Sequence, residues 1–383
     1  MRARIIALAR WAGVALLASA GCTEEREPDA DQTTRGVMRE IFAAIRVTLP
    51  ATTDAAQFKS AENREPIRAA LDALVRNTAL LEQHFRERDA ELGFLARSIE
   101  RDAAEAQLAY AHGQYERSAF VLRQIVENCV VCHTRLPDER GSLVAKGFVD
   151  EGVLASLPAQ PRSTLLIATR QFDEALAALE EVLADPLTHP AVMLGPLTDY
   201  LVVSIRVQGD YERPIEVLEA FSQREDLWPS LREDVEEWID ALPALRERAG
   251  SEPTVASARS LIEAGEARDE FGDGQGSLLH FIAASSLLER YIASQPSRSA
   301  ELGEAFYLRG MLETRIGRNY WVTTAPFFLE EAIRIAPGEP FARDALGRLE
   351  RELFAAYEGS DVEELPAAET AHLAQLRALI DAR

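Results

Sequence analysis

Apolar residues recur every three or four positions along residues 34–137, which limits the fold more than any figure of composition. This spacing places apolar side chains on one face of an α-helix and does not match the alternation of a β-strand. Four such stretches cover about residues 34–49, 62–85, 89–112 and 115–137. The predicted apolar faces include Leu80 and Leu108. Pro50 is expected to end the first helix and Gly113 the third. Four amphipathic helices with short links predict a four-helix bundle.

The composition also favours an all-α fold. Hydrophobic residues make up 47% of the 383 residues, whereas aromatic residues make up only 7%. Alanine, leucine, glutamate and arginine dominate, and these residues favour helices over sheets. A chain of this length is expected to form two or three domains. The net charge of −22 argues against nucleic acid as a partner and favours a protein with a basic docking surface.

The second half of the chain carries a different pattern, in which an aromatic residue follows a turn and a new helix begins. Phe172 and Tyr211 occupy such positions. Residues 305–310, rich in small and aromatic side chains, precede a second segment at 329–337 that contains a proline at its end. These segments resemble degenerate tetratricopeptide repeats over about residues 160–360. The resemblance implies stacked helix pairs that bind a partner protein. The alternative is an irregular helical domain without repeat ancestry.

Residues 1–21 have the order of an export signal: three arginines, a short apolar run and then small residues. The apolar run is too short to span a bilayer. The following Cys22 resembles the cysteine of a bacterial lipobox, which implies lipidation at Cys22. The polar and acidic composition of the next residues predicts a tether at residues 22–32 and supports this interpretation. Ser19 stands where a lipobox usually has leucine, so cleavage after Ala20 is the alternative. The protein is therefore expected in the periplasm, as a lipoprotein tethered to a membrane, with the outer membrane favoured.

The remaining domain boundaries follow from changes in pattern. Residues 33–140 are predicted to form the four-helix bundle. Glycine and proline residues then become frequent, which predicts a linker at residues 141–160. Residues 161–383 are predicted to form the helical repeat domain. The expected architecture is therefore an all-α bundle followed by an all-α repeat domain.

The fourth predicted helix contains the sequence Cys129-Val-Val-Cys132-His133, which matches the Cys-x-x-Cys-His pattern of c-type haem attachment. Two thiols three residues apart lie on one helix face, where each can form a thioether with a haem vinyl group. His133 can then bind the iron as its proximal ligand. A thioredoxin-like pair would need a strand–loop–helix context. A zinc site would need a second pair of ligands, and Cys22 is the only further cysteine. The motif therefore predicts one covalent haem c.

A four-helix bundle with this motif near the end of its last helix resembles the cytochrome c′ and cytochrome c-556 family, over about residues 32–140. The sequence Arg35-Gly-Val-Met38 resembles the family's Arg-x-x-Met start. The resemblance implies that Met38 is a candidate sixth iron ligand. The family usually has an aromatic and a basic residue shortly after the histidine, where this chain has Leu136 and Pro137. Arg135 is then the nearest base for a haem propionate.

The sixth ligand has alternatives, because a methionine at helical spacing is often only a core residue. His84 and His112 are the competing ligands, although each is expected near a helix end, where a cation suits the dipole. His189, His280 and His372 are expected to be structural.

The pattern as a whole predicts one-electron transfer in the periplasm, with a redox partner protein and a second protein partner for the repeats. A gas-binding haem with an open distal site, and a repeat scaffold with a structural or sensory haem, are the alternatives. An enzyme is not expected, because no acid–base or nucleophile motif accompanies the haem motif.

Overall fold

The structure, a computed structural model, describes residues 30–86, 89–134, 152, 154, 157–268, 275–295, 297–317, 324–357 and 365–382. All regular secondary structure in these ranges is helical, so the predicted all-α class is confirmed. The predicted export signal, Cys22 and nearly all of the tether lie outside the described residues, as does most of the predicted linker. Within the described part of the chain, no helix is long and apolar enough to cross a membrane.

Five helices precede residue 135, and four of them are long. They are α1 (Ala30–Thr53), α2 (Ala55–Lys59), α3 (Arg64–Phe85), α4 (Ala90–Ala111) and α5 (Tyr115–His133). In sequence order the long helices pack α1 on α3, α3 on α4 and α4 on α5, and α5 closes the ring against α1. Their apolar faces meet in one core whose centre includes Leu74, Ala103 and Ile125. This arrangement agrees with the sequence pattern, because each helix buries the stripe that its spacing predicts.

Three expectations for these helices are wrong in detail. Pro50 does not end α1, which continues to Thr53. A proline so close to the helix end costs only one backbone hydrogen bond, and the last turn buries Ala51 and Thr52. The spacing places Leu80 and Leu108 on the apolar faces, but they are 51% and 61% exposed. The apolar face of an amphipathic helix is wide, so residues at its edge, such as these two leucines, can still face solvent.

Eleven further helices follow in the described part of the chain. They are α6 (Ala159–Ala168), α7 (Phe172–Ala184), α8 (Leu194–Leu201), α9 (Arg213–Ser222), α10 (Pro229–Ala249), α11 (Val255–Glu266), α12 (Leu278–Ser294), α13 (Ala300–Ile316), α14 (Ala325–Ile335), α15 (Pro340–Tyr357) and α16 (Ala367–Asp381). A 3-10 turn at Pro190–Val192 precedes α8, and a π-helical segment at Val202–Gln208 extends it. Most consecutive helices pack against each other, as α6 does on α7 and α13 on α14. Tetratricopeptide-like repeats would produce such stacked helix pairs. The repeat ancestry of these helices stays a prediction.

The contact between α13 and α14 shows why small residues occur in this pattern. Gly310 of α13 lies so close to Leu329 of α14 that a Cβ atom added to the glycine would stand 2.8 Å from the Leu329 Cγ. Gly303 similarly faces Ala336, with 2.8 Å between the added Cβ and the alanine Cβ. Glycine at these positions lets the two helix backbones approach closely.

The bundle helices contact the later helices at two places. Helix α5 packs on α6, and Val130 of α5 belongs to the core of the later helices. Near the start of α4, the Phe94 ring lies 6.0 Å from the Phe327 ring of α14, centroid to centroid. The end of α5, where the haem motif lies, is therefore covered by residues from beyond the predicted linker.

Candidate haem site

Helix α5 positions the three residues of the haem motif. Cys129 and Cys132 are three residues apart within it and both are partly buried, while His133 is its last residue. Cys129 packs against the bundle core, whereas the adjacent Val130 packs against the core of the later helices. The alternation follows from helical geometry, since neighbouring residues point about 100° apart. Helix α5 therefore presents both sulfurs towards the bundle.

A buried hydrogen bond holds this part of α5 against α4. The Asn128 Nδ2 donates to the Asp102 Oδ2 over 2.8 Å, and both side chains are almost fully buried. Burial raises the pKa of Asp102 above its ordinary value, and the nearby Arg101 acts in the opposite direction. The bond fixes the rotation of α5 one residue before Cys129.

The predicted site residues line one cavity. Met38 of α1 lies in its wall together with Cys129, Cys132 and His133. The wall encloses only about 30 Å³ of free space, and the cavity is partly open to solvent. The rest of the wall is apolar and comes from α1, α3 and α4: Ile41, Leu81, Phe85, Leu92, Ala96 and Ile99. The structure thus brings Met38 of the first helix together with the motif on the fifth, although the two lie far apart in the sequence.

His133 is held by a residue that the motif does not include. Its Nδ1 lies 2.6 Å from the carbonyl oxygen of Ala168, the last residue of α6. A carbonyl can only accept, so Nδ1 must carry the proton and donate, and Nε2 keeps its lone pair. Burial, followed by the positive charge of Arg170, lowers the pKa of His133 to about 4. His133 is therefore neutral at pH 7, which is the form that can bind a metal.

Cys129 does not have the character of an attacking redox thiol. Burial raises the pKa of Cys129 to about 12, and the neighbouring Cys132 acts in the same direction. Thioredoxin-like cysteines need the opposite, a thiol whose pKa is lowered so that the thiolate can attack. Cys129 is therefore not suited to be the attacking thiol of a thioredoxin-like pair.

The described residues also offer no bare-metal site. They contain no group of three or more His, Cys, Asp or Glu side chains that could hold an ion. A zinc site would need four such ligands, or three and a water. Haem iron takes only axial ligands from the protein, because the macrocycle fills the other four positions.

The competing sixth ligands are not in the cavity wall, although His84 directly precedes the wall residue Phe85 and its ring contacts the Phe85 ring. The Nε2 of His84 lies 2.9 Å from the Thr34 Oγ1, and His84 is not among the lining residues. His112 is exposed and follows the last residue of α4, about 20 Å along the helix axis from Ile99. The cavity wall therefore contains Met38 and neither histidine.

The remaining histidines have local contacts or lie in a distant core. His189 accepts a hydrogen bond from the Ala191 backbone N–H, and His372 pairs with Glu330. His280 is buried in α12, and burial lowers its pKa to about 4. The two other internal methionines, Met193 and Met311, pack with the core of the later helices.

Two residues near the site cannot be found from the motif. Ala168 lies 35 residues beyond His133, Arg170 follows shortly after it, and no local pattern connects either residue with the histidine. In the sequence, Arg170 belongs only to a repeat-like turn before Phe172. Arg135, expected to meet a propionate, lies outside the described residues, as do Leu136 and Pro137.

The donor set fits a c-type haem. Two thiols share a helix face, a neutral imidazole has one nitrogen fixed by a carbonyl, and a thioether lies in the same apolar wall. A hydrogen bond from the second ring nitrogen is the usual support of a metal-binding histidine. The apolar lining suits the faces of a macrocycle, but with only about 30 Å³ of free space the wall would have to move apart to admit one.

Comparisons with known proteins gave no match: no family, no curated protein and no solved structure is significantly similar to this chain.

Proposed function

We propose that this protein is an exported c-type cytochrome that carries one covalent haem and transfers single electrons in the periplasm. The observation that supports it best is the convergence of Met38, Cys129, Cys132 and His133 on one apolar cavity. When bound, haem supplies an iron that changes between the ferric and ferrous states by one electron.

Each cysteine would hold the haem through its sulfur. Its S–H adds across a vinyl C=C, so one C–S and one C–H bond form and no oxidant or reductant is consumed. This addition requires thiols rather than a disulfide, and Cys129 and Cys132 are not joined by a disulfide in the described part of the chain. The high pKa of Cys129 keeps its thiol protonated before attachment.

The two axial ligands would be His133 and Met38. The bond to Ala168 leaves the Nε2 lone pair of His133 for the iron. Methionine opposite histidine raises the reduction potential and fills the position that a gas would need. The apolar wall around Met38 would keep water away from a bound haem. These features favour electron transfer over gas binding.

Export and anchoring are proposed from the sequence alone. The signal-like residues 1–21 and Cys22 would place the haem in the periplasm, tethered by lipid. The later helices, with their stacked pairs, would dock a partner protein. The net negative charge of the chain suits a redox partner with a basic docking face.

Met38→Ala tests the choice between electron transfer and gas binding. We expect the wild-type ferric protein to be low-spin, with a weak near-infrared band from methionine ligation. Met38→Ala should remove the band, lower the reduction potential and allow carbon monoxide to bind, because the distal position is then vacated. Spectroelectrochemistry and carbon monoxide titration measure these changes.

Met311→Ala is the matched control, since it removes a methionine that packs with the core of the later helices. It should leave the band and the potential unchanged. A wild-type protein that is high-spin and binds carbon monoxide readily would favour the gas-binding function instead.

A further inference from the structure

The turn after α6 has a backbone conformation that arginine rarely adopts. The Gln171 N–H donates to the Leu166 carbonyl and the Arg170 N–H to the Ile167 carbonyl. This pair of bonds is the Schellman ending of a helix, which places a left-handed residue where Arg170 stands. Its φ is +56°, and it is the only non-glycine residue with positive φ among those described.

Glycine is the usual residue at such a position, because a Cβ atom strains the left-handed conformation. The other left-handed residues in the described ranges, Gly113 and Gly209, are glycines and also follow helical segments. Arginine at position 170 therefore costs stability that glycine would not. A strained residue that persists points to a role for its side chain.

The same turn contacts the proposed proximal ligand. The carbonyls of Leu165, Leu166 and Ile167 accept bonds from within the turn, whereas that of Ala168 accepts from His133. The Arg170 guanidinium lies over the Phe172 ring, 5.7 Å from its centroid, and this ring is buried. The aromatic contact limits where the guanidinium can lie.

Arg170 stands two residues after Ala168, whose carbonyl holds the His133 ring, so its positive charge lies in the turn that contacts the proposed ligand. A fixed cation beside an iron ligand favours the ferrous state, because reduction adds a negative charge to the site. The low dielectric of a partly buried site strengthens this effect.

We propose that Arg170 is a positioning residue of the haem site, retained in a strained conformation because its charge raises the reduction potential through His133. This inference rests on the proposed function. It gives the later helices a role beyond partner docking, because the turn between α6 and α7 completes the proximal side of a site whose cavity is formed by the bundle.

Arg170→Gly separates this role from a structural one. The change relieves the left-handed strain, so the thermal unfolding temperature should not fall. The reduction potential should fall, because the cation is lost. Arg170→Gln should lower the reduction potential in the same way. Arg170→Lys keeps the positive charge, so its reduction potential should stay close to that of the wild type. A merely structural role would leave the potential unchanged in all three variants.

Arg64→Gln is the control for removing one positive charge. Arg64 is exposed and lies at the opposite end of α3 from the cavity residues Leu81 and Phe85, so its loss should not change the potential. The measurements are haem content, redox titration and thermal unfolding of the full chain matured in a periplasm.

Each outcome tests a different statement. If haem is attached and the potential falls only when the charge of Arg170 is removed, the inference holds. If haem is attached and the potential is unchanged, or if Arg170→Gly unfolds the protein, the inference is overturned and the proposed function stands. If the wild-type chain attaches no haem, the proposed function fails first.

Discussion

His133 joins two parts of the chain that the sequence separates. It ends α5, and its ring bonds to the last residue of α6. The motif itself predicts an iron ligand at this position but not its tautomer. The tautomer follows from the Ala168 carbonyl, which accepts from Nδ1 and leaves Nε2 for a metal. The metal-binding form of His133, a residue of a short contiguous motif, therefore depends on a contact with Ala168, which lies far from the motif in the sequence.

His280 provides a residue-scale prediction on pH and stability. Burial, followed by the charges of Arg268 and Arg248, lowers its pKa from 6.5 to about 4. Between these values the unfolded chain binds a proton that the folded chain does not, so stability is full above pH 6.5 and falls as the pH drops towards 4. The loss is at most about 3 kcal/mol. His280→Gln should reduce this loss.

Urea unfolding of the wild type and His280→Gln at about pH 7 and about pH 4.5 measures the difference, since most of the loss falls between these two values. His112→Gln, which removes an exposed histidine, serves as the control and should follow the wild type. If His280→Gln loses as much stability on acidification as the wild type does, the buried histidine is not the source of the loss.

At the element scale, helix periodicity is the most informative signal. The predicted helices at about 62–85 and 89–112 correspond to α3 (Arg64–Phe85) and α4 (Ala90–Ala111). The periodicity misses α2 and the end of α1. Helix α2 has only five residues, which is too short for a periodic pattern, and is started by Asp54 accepting from the Ala56 and Gln57 N–H groups.

The exposed Leu80 and Leu108 show a second limit of the pattern. Spacing gives the face of a helix on which a residue lies, but the neighbour that covers the face comes from the tertiary structure. The cavity has the same limit: its wall combines residues of four helices, and only the motif itself is contiguous in sequence. Met38 is identified by a family resemblance rather than by its contacts.

The close contact of α13 and α14 predicts opposite effects for two glycine substitutions. Gly310→Ala should destabilise the fold, because the new Cβ would overlap Leu329, and overpacking costs about 1–3 kcal/mol. Gly36→Ala in α1 meets nothing within 4 Å and should stabilise by about 0.5–1 kcal/mol through helix propensity.

Thermal unfolding of the two variants should therefore shift in opposite directions from the wild type. Equal shifts, or a stabilised Gly310→Ala, would contradict the close approach of α13 and α14.

At the scale of the whole molecule, the cavity lined by Met38 and the Cys-x-x-Cys-His motif lies in the bundle, next to its contact with the later helices. The bundle supplies the cavity wall, while α6 and the turn after it supply the contacts of His133. A second contact joins α4 to α14 through Phe94 and Phe327. The sequence pattern predicts two separate domains with a linker, and it cannot show this contact because contacts between distant segments leave no periodic signal.

The membrane tether is a prediction for the whole molecule that rests on Cys22. A lipobox cysteine carries two or more acyl chains, which hold a protein on a membrane far more strongly than one chain does. Cys22→Ala should therefore move the protein from the membrane fraction to the soluble periplasm, as measured by fractionation and immunoblotting. Ser19→Ala, which keeps the cysteine, should remain with the membrane. Identical fractionation of the wild type and Cys22→Ala would favour cleavage after Ala20 instead.

Covalent attachment of haem to Cys129 and Cys132 underlies every functional proposal made for this protein, and acid extraction tests it most directly. The full chain, matured in a periplasm, is denatured in acidic organic solvent, and the haem is followed by absorbance and by the mass of the polypeptide. We expect the wild-type polypeptide to keep one haem. The double variant Cys129→Ala and Cys132→Ala should carry no covalent haem, because neither sulfur is left to form a thioether. A wild-type chain that releases its haem into the solvent, or that never gains the mass of one, would contradict covalent attachment.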